Sequence, residues 1–121
     1  MPRLLLDEQL IHPLIRERIA TLHADTVRQV QAAVARHAVV VVGMRGNPFV
    51  GRARKALTGA GMAHQYLEYG SYFSQWRVRN ALKLWCGWPT FPMVFVKGVL
   101  VGGADDVAAL LASGELQRML A

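Results

Sequence analysis

Cys86 is the chain's one sulfur nucleophile, so thiol chemistry is the first reaction to consider. A reactive thiol must ionise, and Cys86 falls near the C-terminal end of a predicted helix, where the dipole is negative and a thiolate is disfavoured. Trp85 and Trp88 beside it point to a partly buried structural thiol. A redox or cluster-ligating role for Cys86 is the alternative. One cysteine excludes an intramolecular disulfide, a Cys-x-x-Cys pair and a multi-cysteine zinc site. The other chemically suggestive segment is Arg45-Gly46-Asn47-Pro48. Asn47 at N-cap and Pro48 at N1 open a helix, the Asn47 amide accepting first-turn N–H groups. Arg45, Arg52, Arg54 and Lys55 add positive charge around it, suited either to an anionic ligand or to a solvated face.

The elements that must position these residues follow from apolar spacing. Residues 7–22 carry Leu10, Ile11, Leu14, Ile15, Ile19 and Leu22 on one helical face, with Pro13 as a kink or first turn. A second helix is predicted from about Asp25 to Arg36, capped by Asp25 or Thr26. The Val-rich run from Ala38 to Met44 suits a central strand buried on both faces. The helix opened by Pro48 runs to about Thr58, and His64 to Tyr69 forms a second strand parallel to the first. A helix from about Ser71 to Trp85 places Phe73, Trp76, Leu82 and Trp85 among its apolar positions. Met93 to Val96 and Val99 to Val101 form a hairpin around Lys97-Gly98. Gly102-Gly103 ends the second strand, and Asp105 and Asp106 begin a last helix through about Ala112.

This order predicts an α/β fold: a four-stranded mixed sheet with helices on both faces and an N-terminal helical extension. The domain reading is an extension over residues 1–24 and one domain over residues 25–121. In a chain of 121 residues, 14 Lys and Arg against 8 Asp and Glu give a formal net charge of +6. The hydrophobic fraction of 53% excludes a disordered polyelectrolyte. No apolar run approaches the roughly 20 residues of a membrane span, and Asp7 and Glu8 interrupt the start before a signal segment forms. The expected location is therefore cytoplasmic. The basic charge permits an anionic partner, but no nucleic-acid motif is present and Trp76, Trp85 and Trp88 fall at expected core positions, so nucleic acid is not the expected partner.

The junction residues carry a resemblance. Val78-Arg79-Asn80-Ala81-Leu82-Lys83, Trp88-Pro89-Thr90-Phe91-Pro92 and Val96-Lys97-Gly98-Val99-Leu100-Val101-Gly102-Gly103-Ala104-Asp105 follow one another as in monothiol glutaredoxins, members of the thioredoxin-fold superfamily. With the Val-rich strand and its following helix, the similarity extends from about Thr26 to the C-terminus. In that family the catalytic segment reads Cys-Gly-Phe-Ser, or Cys-Pro-Tyr-Cys and Cys-Pro-Phe-Cys in dithiol relatives. Here Asn47-Pro48-Phe49-Val50 stands in its place, after a shorter loop than in typical monothiol members.

The resemblance implies a thioredoxin-like fold and a groove for glutathione, a tripeptide with two carboxylates. It places Arg45 near the family's lysine ahead of the active site and Arg79 at the arginine that meets the glycyl carboxylate. Phe91, between Thr90 and a cis Pro92, lends its backbone to the cysteinyl part. Ala104 and Asp105 match the pair that holds the γ-glutamyl end. A glutaredoxin-bound [2Fe–2S] cluster uses the cysteine that Asn47 replaces, so that cluster is not expected. The resulting expectation is a glutaredoxin-like binding or adaptor module in redox or iron–sulfur metabolism, without thiol–disulfide exchange, whose partner is glutathione or a glutathionylated protein. The alternative is a glutathione-dependent oxidoreductase or [2Fe–2S] carrier using Cys86. The N-terminal helix packs on its own domain by default, or on a second subunit; the oligomeric state does not follow from the sequence.

Overall fold

The computed structural model describes residues 2–121. After a 3-10 turn at Glu8–Leu10 come α1 (Pro13–Thr21), α2 (Ala24–Arg36), β1 (Val39–Gly43), α3 (Pro48–Gly59), β2 (Gln65–Glu68), α4 (Trp76–Cys86), β3 (Met93–Val96), β4 (Val99–Gly102), α5 (Ala104–Ala112) and α6 (Glu115–Leu120). The sheet order is β2-β1-β3-β4. β2 runs parallel to β1, with Val41 opposite Tyr66, whereas β3 pairs antiparallel to β1 and β4 antiparallel to β3. This is the mixed thioredoxin-like sheet that the sequence predicts.

Every residue of β1 is buried because the strand feeds two cores. Its side chains alternate across the sheet. Val40 and Val42 pack with Val30, Leu82, Met93 and Phe95, whereas Val39 and Val41 pack with Ala53, Leu57, Val107 and Leu116. Helices α2 and α4 therefore cover one face, and α3, α5 and α6 the other. The hairpin turns through Lys97 and Gly98, both at positive φ. A shift of register between Val94 and Phe95 brings Gly102 opposite Val94. Gly102 sits at φ 105, where a Cβ would lie 2.5 Å from Asp106 Oδ2, so only glycine leaves room for that carboxylate.

Four local expectations are corrected. The cap of α2 is neither Asp25 nor Thr26 but His23, in the left-handed region and without a side-chain bond. Helix α4 begins at Trp76, not at Ser71. The Ser71 and Ser74 side chains bond neighbouring backbone and each other, forming a turn that competes with helix. Phe73 and Trp76, assigned to apolar helix positions, are 97% and 56% exposed. Helix α6 has no counterpart in the sequence reading; Leu116, 0% exposed, is what ties it to the core.

The N-terminal extension meets its own domain, but loosely. Pro13 marks the first turn of α1, with His12 Nδ1 accepting the Leu14 N–H. No residue of α1 is buried. Nor is any residue of the 3-10 turn before it. The segment is anchored in part by Arg3, whose guanidinium fills the space over Gly87 at the C-terminal end of α4, where a cation is favoured.

Candidate functional site

The C-terminal end of β1 delivers the chain to the α3 N-terminus, as Asn47-Pro48 predicts. Asn47 is the N-cap, and its Oδ1 accepts the Phe49 N–H at 2.9 Å and the Val50 N–H at 3.3 Å. Because Pro48 has no N–H, this helix start leaves three open, and the side chain satisfies two of them. The Asn47 Nδ2 faces the Phe91 carbonyl at 3.5 Å. Asn47 thereby bridges the helix start and the segment before Pro92, whose peptide bond with Phe91 is cis.

Beside this bridge lies a groove of about 250 Å³ lined by Phe49, Trp88, Thr90, Phe91, Pro92 and the residues from Gly103 to Asp106. It is open where α5 begins. Asp106 Oδ2 accepts the Gly103 N–H at 2.9 Å, which fixes the turn into the helix. The Ala104 and Asp105 amides, as the first two of the helix, have no intrahelical acceptor and sit at the positive end of its dipole. An anionic group entering the groove finds its donors there rather than at the α3 start. The Asp105 carboxylate is held by Arg52 at 2.7 Å, and the same guanidinium lies 5.1 Å from the centre of the Phe49 ring. Both partners of the ion pair are exposed, so it stabilises by about 1 kcal/mol at most and opens readily.

Of the residues predicted for a glutathione-type site, the structure brings Thr90, Phe91, Pro92, Ala104 and Asp105 together in this groove, with Asn47 at its edge. Arg45 and Arg79 are not among the residues that line it. Arg45 is exposed and makes a loose contact with Glu68, at 3.8 Å. Arg79 is only 7% exposed, and its guanidinium donates to the carbonyls of Tyr69 and Ser74. Sequence reasoning did not assign Phe49, Trp88 or Asp106 to the groove, and it named Arg52 as a nearby charge without its partner Asp105. Trp88 packs against the core, as expected, and also lines the groove; its buried Nε1 has no acceptor among the described residues. The signal for Asp106 was its spacing of three from Gly103, which suits a carboxylate reaching back to a helix start.

Cys86 does not line the groove. Its Sγ accepts the Trp88 N–H at 3.4 Å and lies 3.5 Å from Met93 Sδ. Burial pushes its thiol pKa up, outweighing the lowering by the Trp88 N–H and the Arg3 charge. At neutral pH the neutral thiol prevails. Cys86 is expected to react with iodoacetamide at pH 8 at least about tenfold more slowly than free cysteine. Alkylation at the rate of free cysteine would reopen the assignment of the reaction to this sulfur. No group of three or more potential metal ligands occurs among the described residues.

No family model matches the chain. It is 45% identical over 98 residues to a "Glutaredoxin-like protein" of Dictyostelium discoideum, a match covering 81% of this chain and 80% of that one. It is 31% identical over 103 residues to "Glutaredoxin 4" of Escherichia coli, covering 80% and 86% of the two chains. Among solved structures, a mutated buckwheat glutaredoxin superposes with a TM-score of 0.73 at 26% identity, over 83% of this chain and 91% of that one. A buckwheat glutaredoxin–glutathione complex superposes with a TM-score of 0.71 at 25% identity, with the same coverage.

Proposed function

The chain belongs to the glutaredoxin family, and from that premise we propose that it is a member without thiol–disulfide exchange, which keeps the groove to bind glutathione or a glutathionylated partner. The observation that carries this reading is the exchange of roles between two helix starts. At α3 a carboxamide takes the N–H groups of Phe49 and Val50, where family chemistry needs a thiolate. At α5 the Ala104 and Asp105 amides stay open beside Thr90, Phe91 and Pro92. Binding is kept and the reactive atom is absent.

In this reading the γ-glutamyl carboxylate meets the amides of Ala104 and Asp105, and Asp105 turns from Arg52 to the ligand ammonium. The Phe91 backbone meets the cysteinyl part, for which Asn47 Nδ2 must release its long contact with the Phe91 carbonyl. Iron–sulfur ligation is not part of the proposal. A cluster needs thiolate ligands, and the one thiol is Cys86, kept neutral by burial and outside the groove. The adaptor role in redox or iron–sulfur metabolism and the cytoplasmic location belong to the proposal as well. No helix among the described residues is long and apolar enough to cross a membrane.

Titration with glutathione, followed by calorimetry and amide resonances, tests the reading. Binding in the millimolar range is expected, with shifts at Phe91, Ala104 and Asp105, together with no reduction of a mixed glutathione disulfide. Absence of heat and of shifts at about 10 mM, an affinity limit near 3 kcal/mol, would remove glutathione as the ligand.

A further inference from the structure

The N-terminal extension presents what a monomer has no reason to keep. Eight leucine and isoleucine side chains between residues 4 and 22 are exposed, among them Leu4 at 99%, Leu10 at 74% and Leu14 at 62%. Single exposed aliphatics are ordinary, but a contiguous set marks an interaction surface. Two of them, Ile19 and Leu22, wall a hollow of about 360 Å³ together with Val27, Arg28, Leu84 and Trp85. Leu84, on the hollow's rim, is itself 68% exposed.

We propose that this face is the interface of a homodimer with two-fold symmetry, in which α1 and the preceding arm of each copy cover the hollow of the other. Two observations choose a second copy over other occupants. The first is charge. The extension, residues 1–24, carries three arginines against three carboxylates, a net of zero, so the rest of the chain carries all of the +6. An anionic membrane or an acidic partner is drawn to the basic remainder, and two copies repel one another everywhere except at this near-neutral face. The second is extent. A standard interface takes about 800 Å² from each partner, and eight aliphatic side chains at these exposures, with the hollow beside them, are of that order. A two-fold interface places the same surface on both sides, so it closes at two copies.

The glutathione groove is not involved, so the dimer stands or falls independently of that reading. Sedimentation of the full chain between about 1 and 100 μM tests it. The expected mass is twice the 13.4 kDa of one chain, and Leu14→Glu and Leu84→Glu each weaken association at least tenfold. Both side chains are exposed in the single chain, so circular dichroism and melting at low concentration should be unchanged; should one variant misfold, the other still reports. A monomer throughout the range overturns the proposal. So does a dimer that survives both substitutions, or a monomer that instead floats with phosphatidylcholine vesicles.

Discussion

Asn47→Cys, made in a Cys86→Ser background, is expected to create a reactive thiol in a chain that otherwise has none. The Asn47 Oδ1 already sits within 2.9 Å of the Phe49 amide and 3.3 Å of the Val50 amide, the place where a sulfur would be held by the helix start. A thiol so placed has a pKa of about 3.5–7.5, against about 8.5 when free. At pH 7 the ionised fraction then rises from a few per cent to about a quarter or more. Alkylation and reduction of a mixed glutathione disulfide should both increase at least about tenfold over the Cys86→Ser parent. Loss of the carboxamide cap costs about 1 kcal/mol of stability, which a fold of this size tolerates. The check is the pH profile of alkylation. A midpoint at or above that of free cysteine would show that the α3 start does not polarise its cap, and that more than one atom separates this chain from its catalytic relatives.

Arg79→Ala should act on stability rather than on the ligand. The guanidinium is 7% exposed and donates to the Tyr69 and Ser74 carbonyls, which brace the turn leading into α4. Its removal strips the carbonyls of half-buried Tyr69 and exposed Ser74 of charge-assisted partners, each bond worth about 1.5–3 kcal/mol. The expected loss is about 3 kcal/mol, or roughly 10 °C in Tm for a domain of this length. Arg79→Lys should rescue little, because one ammonium does not reproduce the planar fork. Glutathione affinity, measured cold where both proteins are folded, should change less than about twofold. A variant of normal Tm that has lost glutathione would instead return Arg79 to the glycyl-carboxylate role that the family resemblance implies.

The two variants separate what is written locally from what is not. Asn47-Pro48 as a helix start is legible because capping is a matter of a residue and its next three neighbours, and the structure places the cap and its bonds as read. The hairpin at Lys97-Gly98, the parallel β1–β2 pair and the buried Val-rich strand are legible for the same reason: turn chemistry and apolar periodicity are short-range signals. Helix α4 shows the limit. Its apolar spacing runs on through Phe73, but Ser71 and Ser74 turn the backbone before the helix can begin, and Phe73 is left in solvent. Periodicity marks which side chains could share a face; it does not say whether a neighbour arrives to cover them.

The sequence alone determined the class of fold, the element order from α2 to α5 and the absence of sulfur at the family's reactive position, since each depends on residue type and local spacing. Tertiary structure decided which charges serve the groove. Arg52, far in sequence from Asp105, reaches its carboxylate across two packed helices, while Arg79 spends its donors on backbone carbonyls. It also decided that the N-terminal helix meets its own domain without fully burying any residue. Burial and pairing between distant segments depend on how the sheet brings them together, and no window along the chain contains that information.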